Sequence, residues 1–206
     1  MHKERSTGDL VREAENYTCP VQKASFFLNA FLKDLMCGRC LPCALGSYEA
    51  ALILKDMQSG NPEQNDMGTL HRIAEAMMVG SRCKRGRDTA QFLIEMLRAD
   101  FFAEHLRGRC PDRECLPLIE YRVMPERCTM CGECQAACRY HAVIGEKRVP
   151  FLSGFLPFVI ASRRCTRCGE CRIVCPENAI AVVDVSAMPS ANQLEFTVGE
   201  SRRNRR

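Results

Sequence analysis

Two matching cysteine runs constrain this chain more than any other feature. Cys128, Cys131, Cys134 and Cys138 form the first, and Cys165, Cys168, Cys171 and Cys175, followed by Pro176, form the second. Both follow the spacing C-x2-C-x2-C-x3-C, which suits thiolates that hold cubane [4Fe–4S] clusters. Three thiolates on a tight loop wrap one cluster, while the fourth leads away across the domain and reaches the other. One cluster is therefore expected on Cys128, Cys131, Cys134 and Cys175, and the other on Cys165, Cys168, Cys171 and Cys138. The fourth cysteine of each run is expected to open a helix. Gly132 and Gly169 hold equivalent places in the two runs, where a missing side chain lets backbone N–H groups approach the inorganic sulfurs. The alternatives, a pair of zinc ribbons or a disulfide scaffold, do not need eight sulfurs in two identical runs.

Fifteen cysteines in 206 residues would suggest disulfides in a secreted protein. The start, Met1-His2-Lys3-Glu4-Arg5, is charged and leads into no apolar segment, so no signal peptide is expected. No apolar run is long enough to span a bilayer, since Phe151 to Ala161 is broken by Gly154 and Pro157. The expected compartment is the reducing cytoplasm, with the cysteines as cluster and metal ligands. The formal charge of +4 counts every thiol as neutral, so it is no argument for nucleic acid as a partner. The basic end, Ser201 to Arg206, is expected to be a solvated tail.

Residues 1–16 are charged and aperiodic, and are expected to be a flexible lead-in or a strap across a partner. Val21, Ala24, Phe27, Leu28, Phe31, Leu32 and Leu35 then recur at helical steps up to Cys37-Gly38. Further helices are expected from Leu45 to Met57, from Met67 to Val79, and behind Asp88 as N-cap through Leu97 and Phe101. After Pro117 the texture changes. Leu118 to Val123 and Ala179 to Val185 read as strands flanking the two cysteine runs, a pseudo-repeat like that of a bacterial two-cluster ferredoxin. The expected class is α+β: a small four-helix bundle over 17–109 binding one [4Fe–4S] cluster, then a 2[4Fe–4S] ferredoxin domain over 110–186, with a tail over 187–206. The apolar insert from Arg148 to Ser162 is either packing over the clusters or a docking patch.

The third cluster rests on Cys37, Cys40 and Cys43, which repeat the C-x2-C-x2-C step between the first two expected helices. A cubane needs a fourth ligand. Cys83 is the candidate, because antiparallel helices return its loop to the same end of the bundle as Cys43. A zinc site or a three-iron cluster without Cys83 is the alternative.

Met36-Cys37-Gly38-Arg39-Cys40-Leu41-Pro42-Cys43-Ala44-Leu45-Gly46 resembles the S-C-G-x-C-x-P-C-R-x-G segment of the NADH-oxidising flavoprotein subunit of respiratory complex I and its relatives. The resemblance implies a helical bundle with a [4Fe–4S] cluster on these three cysteines and Cys83. Ala44 stands where that family usually has arginine. The segment from Cys110-Pro111 to Cys115 resembles the C-P-x-x-x-C link to a two-cluster ferredoxin domain in the corresponding subunits of electron-bifurcating hydrogenases and formate dehydrogenases. No G-x-G-x-x-G or related glycine cluster for FMN or NADH occurs in this sequence. The resemblance thus implies the electron wire of such a subunit without its flavin-binding head.

Cys19, Cys110 and Cys115 remain, with His105 five residues before Cys110. If antiparallel packing brings both ends of the bundle together, these four make a Cys3His structural zinc site at the joint between the halves, as the resemblance to bifurcating hydrogenases also implies. The alternative is three reduced thiols and a surface histidine. His71 reads as a packed or solvated helix residue, and His141 as a candidate hydrogen-bond partner for the neighbouring cluster. No catalytic triad or carboxylate pair is legible in the sequence. The expected function is an electron-transfer subunit of a redox complex, relaying single electrons between a flavoprotein or ferredoxin and a catalytic subunit through three [4Fe–4S] clusters. A free diffusing polyferredoxin and a redox-sensing regulator are the alternatives.

Overall fold

The structure is a computed structural model that describes residues 5–146 and 158–185. The expected tail over 187–206 and most of the apolar insert lie outside these residues. The described chain starts with helix α1 (Thr7–Ala14), not with a structureless lead-in. The Ser6 hydroxyl accepts the Asp9 N–H and the Asp9 carboxylate accepts the Ser6 N–H, closing a capping box. Leu10 and Ala14 are buried against the bundle. Arg5 pairs with Glu13 and Asp34, and Thr7 Oγ1 donates to Asp88 Oδ2 at 2.8 Å. These contacts with distant residues order a segment whose own pattern holds too few apolar residues to announce a helix.

Four longer helices follow: α2 (Pro20–Asp34), α3 (Leu41–Ser59), α4 (Asp66–Gly80) and α5 (Lys84–Leu97). Pro20 and Pro42 sit in the first turns of α2 and α3, where a missing N–H costs nothing. Gly60, at φ 83°, closes α3 in the left-handed region. Helix α5 begins one residue after Cys83, so Asp88 lies inside it and not at its cap. Among the described residues the bundle therefore has five helices, with α1 added to the four expected. Its core packs Phe27 on Phe92, ring centroids 4.2 Å apart, with Phe31, Leu54, Leu70, Met77 and Leu93 around them.

The alternating helix directions give the bundle two ends. The loops carrying Cys37, Cys40, Cys43 and Cys83 share one end. Cys19, ahead of α2, and the segment after α5 share the other. About 28 Å of helix separates the ends, from the 19 residues of α3. Two 3-10 turns, Ala103–Arg107 and Leu116–Leu118, lead from the second end into the C-terminal lobe.

That lobe is small. Strand β1 (Ile119–Val123) pairs antiparallel with β4 (Ile180–Asp184), Tyr121 facing Val182, so its first and last elements are joined. Between them lie α6 (Glu133–Ala137), β2 (Val143–Ile144), β3 (Val159–Ile160) and α7 (Glu170–Ile173), with Val143 opposite Ile160. The main buried cluster among its described residues consists of Val123, Cys134, Val143, Phe158, Cys171 and Ile180. Two of those six are candidate cluster ligands.

Candidate iron–sulfur and metal centres

In the C-terminal lobe the two cysteine runs form a twofold-repeated structure. Gly132 and Gly169 cap α6 and α7 at φ 85° and 84°. Met130 and Arg167, at φ 58° and 60°, adopt left-handed backbone in the equivalent loops, as do His141 and Asn178 at 49° and 48°. Such backbone turns successive N–H groups into one concavity, suited to anionic sulfur. The short helices carry the third cysteine of each run and end at or before the fourth, so Cys138 and Cys175 follow a helix instead of opening one.

The crossed sets expected from the spacing come together. Cys128, Cys131, Cys134 and Cys175 line one cavity, walled by Val123, Phe158 and Ile180. Cys138, Cys165, Cys168 and Cys171 line a second, walled by Tyr121, Val143 and Ile160.

Each fourth sulfur also receives a backbone donor: Ala142 N–H to Cys138 Sγ at 3.3 Å, and Ala179 N–H to Cys175 Sγ at 3.2 Å. Burial pushes the Cys138 thiol up, but the backbone N–H groups of Ala142, Tyr140, Val143 and His141 outweigh it and hold the thiol below its usual range. His141 therefore acts through its backbone. Burial, with the charges of Cys128, Cys131 and Cys175, pushes Cys134 up; burial, with Cys165, Cys134 and Cys168, raises Cys171 to about 11. Crowded sulfurs of this kind favour a bound cation that displaces their protons.

At the far end of the bundle Cys37, Cys43 and Cys83 line a cavity with Phe31, Leu35, Lys84 and Arg85. Cys40 does not line it but caps α3 in the same loop. Burial pushes the Cys43 thiol up, the Ser47 and Ser81 hydroxyls draw it back, and the charges of Cys83 and Cys40 push it up again. Cys40 and Cys83 therefore both lie within electrostatic reach of Cys43, and Cys37 shares its cavity. Cys37 and Cys83 are exposed, so this centre opens to the surface.

At the near end Cys19, His105, Cys110 and Cys115 are all buried, with one ligand atom of each within 4.8 Å of the others. Cys19 Sγ lies 3.8 Å from Cys115 Sγ, and His105 Nε2 lies 3.3 Å and 3.5 Å from those two sulfurs. A tetrahedral zinc ion would need edges of about 3.8 Å between sulfurs and about 3.6 Å between sulfur and nitrogen. The donor set fits.

His105 Nδ1 lies 3.2 Å from the Phe101 carbonyl, which can only accept, so Nδ1 carries the proton and Nε2 faces the sulfurs. Burial disfavours the charged imidazole, yet hydrogen bonds to Cys110 and Cys19 outweigh it and raise the His105 pKa to about 10. Hydrogen bonds from Cys115 and Cys19 hold the Cys110 thiol far below its usual range. Glu114, absent from the sequence-based ligand sets, accepts Thr18 N–H and Cys19 N–H at 2.7 and 2.9 Å and ties the two loops together. Nothing local in the sequence signals a contact across 96 residues.

Fold and cysteine sets define an iron–sulfur protein in two parts. Residues 23–107 match the NADH-ubiquinone oxidoreductase-F iron-sulfur binding region, and residues 127–180 match the 4Fe-4S dicluster domain. The chain is thus similar to that iron–sulfur binding region over its helical part and to a 4Fe-4S dicluster domain over its C-terminal lobe, and both matches support 4Fe-4S binding. It is 30% identical to the NADP-reducing hydrogenase subunit HndC of Solidesulfovibrio fructosivorans over 137 residues, 64% of this chain and 27% of that protein. It is 29% identical to an NADH-quinone oxidoreductase subunit of Streptomyces coelicolor over 97 residues, 46% of this chain and 21% of that protein. The NADP(+)-dependent formate dehydrogenase subunit beta of Moorella thermoacetica is 32% identical over 71 residues, 34% of this chain and 10% of that protein. The matched regions span about a quarter or less of these curated relatives. Among the described residues no helix is long and apolar enough to cross a membrane.

Proposed function

We propose that this chain is an electron-transfer subunit of a cytoplasmic multi-subunit oxidoreductase, carrying three [4Fe–4S] clusters and one structural zinc ion. The observation that carries the reading is the gathering of eight cysteines into two crossed sets of four around twin cavities. Cys37, Cys40, Cys43 and Cys83 would hold the third cluster, and Cys19, His105, Cys110 and Cys115 the zinc. The clusters supply reversible one-electron transfer when bound, at potentials set by burial and hydrogen bonds. The chain's own residues supply the thiolates, the left-handed loops that aim N–H groups inward, and the apolar walls that exclude water. Four protein ligands leave the zinc no open position, so its role is to fasten bundle to lobe.

The relatives named above are subunits of a hydrogenase, a quinone oxidoreductase and a formate dehydrogenase, which supports membership of a redox complex. The bundle offers a place for a partner. Leu41, Leu45, Tyr48 and Leu52 recur at helical steps along α3 and all are exposed, as is Val79 in the last turn of α4, next to Gly80, which packs on Pro42 in the first turn of α3. Leu41 lies between Cys40 and Cys43, so the apolar stripe begins at the cluster loop. A flavoprotein seated there would exchange electrons with the bundle cluster, while the catalytic subunit meets the ferredoxin pair at the other end. An exposed apolar face of this kind favours a permanent assembly over a freely diffusing polyferredoxin.

Anaerobic purification with iron, sulfide and zinc analysis tests the reading. About twelve irons, four for each cluster, are expected per chain with about one zinc, and a flavin-containing protein should co-elute. A monodisperse lone chain with about eight irons would overturn both the third cluster and the subunit role.

A further inference from the structure

Ser81 is 3% exposed, and its hydroxyl, although close enough to draw the Cys43 thiol down, completes no hydrogen bond of proper geometry among the described residues. Its backbone is fully engaged: the N–H donates to Met77 O at 3.0 Å, and the carbonyl accepts Arg87 Nη1 at 3.2 Å. Only the hydroxyl is left over, in a buried site where an unpaired polar group is unfavourable. Such an atom in a fixed backbone points to a neighbouring acceptor that becomes available once a bound group takes the proton from it.

The geometry indicates which acceptor. Ser81 stands two residues before Cys83 and faces Gly86 in the first turn of α5. A Cβ built on Gly86 would lie 2.6 Å from Ser81 Oγ and 3.3 Å from Cys43 Sγ. Hydroxyl and sulfur therefore border the same bare face of Gly86, and any side chain there would force them apart. The other buried hydroxyl nearby, Ser47 Oγ, already lies 3.9 Å from Met77 Sδ. Phe31 and Leu35, on the cavity wall, offer no acceptor.

We propose that Ser81 donates its hydroxyl hydrogen to the Cys43 sulfur of the assembled bundle cluster and thereby raises the reduction potential of that cluster alone. The proposal rests on the reading that Cys37, Cys40, Cys43 and Cys83 hold a [4Fe–4S] cluster. An electron entering the cluster makes its sulfurs more negative, so a donor fixed on one of them stabilises the reduced form more than the oxidised form. Ser81 is a positioning residue: it touches a ligand, not a substrate. Gly86 serves the same end by leaving the hydroxyl room to reach the sulfur.

The test uses the full chain, reconstituted anaerobically with iron and sulfide, as wild type, Ser81→Ala and Ser81→Thr. Iron content is measured first, then each cluster is titrated by redox potentiometry followed by electron paramagnetic resonance. Ser81→Ala should keep the wild-type iron count. At the wild-type midpoint of the bundle cluster, its reduced-to-oxidised ratio should fall several-fold, while the two ferredoxin clusters stay unmoved. Ser81→Thr, which keeps the hydroxyl, should restore most of the ratio. An unchanged bundle potential in fully loaded Ser81→Ala, or a shift shared by all three clusters, would overturn the proposal. If Ser81→Ala loses bundle iron, recovery in Ser81→Thr supports the donor and continued loss overturns it. Wild-type protein without a bundle cluster would instead overturn the underlying reading, and the iron count of the wild type alone reports that failure.

Discussion

Cys19 Sγ and His105 Nε2 lie 3.3 Å apart, although 86 residues separate them in the chain. The contact joins the start of α2 to the segment that leaves α5, the place where bundle gives way to ferredoxin lobe. Cys110 and Cys115 complete the set from the far side of the joint. Replacing His105 with alanine should lower zinc from about one per chain toward zero while leaving iron unchanged, since no cluster cavity includes it. Differential scanning calorimetry should then resolve bundle and lobe as separate transitions where the parent protein shows coupled ones. Retention of full zinc in His105→Ala would remove His105 from the site.

The crossed assignment of ligands is open to a double-substitution test. Cys138→Ala should cost about four irons, because Cys138 lines the cavity of Cys165, Cys168 and Cys171 and not that of its own run. Adding Cys165→Ala should cost no further iron, whereas adding Cys128→Ala should cost about four more. If each run held its own cluster, the two double variants would exchange behaviour.

Much of this was legible because cysteine spacing is a local signal tied to one chemistry. The two runs, the stripe from Val21 to Leu35 that became α2, and the strands flanking the runs could all be read along the chain. Helix α1 was not, since only Leu10 and Ala14 of its eight residues are buried and its ordering contacts, Asp34 and Asp88, are distant in sequence. The left-handed positions were half legible. Gly132 and Gly169 stand out, but Met130, Arg167, His141 and Asn178 carry side chains that do not advertise the conformation. Ser81 was invisible for a different reason: a lone serine gains meaning only when it is seen beside Gly86 and Cys43 in the folded chain.

Gly169 is the position where backbone conformation and space coincide. At φ 84° it lies in the left-handed region, and a Cβ there would stand 3.2 Å from the Tyr121 hydroxyl oxygen. Gly169→Ala should destabilise the lobe by about 1–2 kcal/mol from the backbone alone. A lowered thermal midpoint for the lobe, with the bundle transition unmoved, is the expected readout. Equal stability of the variant would mean that the loop relaxes without cost.

Bundle and lobe should respond differently when metal is withdrawn. Among the described residues the lobe's main buried cluster is six residues, of which Cys134 and Cys171 are candidate ligands, and its described regular structure is two two-stranded sheets and two helices of five and four residues. Elements of that size are marginal in water without further support. The bundle instead packs Phe27, Phe31, Leu54, Leu70, Met77, Phe92 and Leu93 into a much larger core, in which the candidate cluster ligand Cys43 is one buried residue among many. Removing iron by anaerobic chelation should therefore unfold the lobe and spare most of the helix, because cluster binding and lobe folding are one equilibrium. Hydrogen exchange should show amides of β1 and β4 losing protection by orders of magnitude while those of α2 and α5 keep theirs. Proteolysis should cut first between Met124 and Ala179. Loss of protection in α2 at the same rate as in β1 would mean that the bundle, too, is held together by its metal.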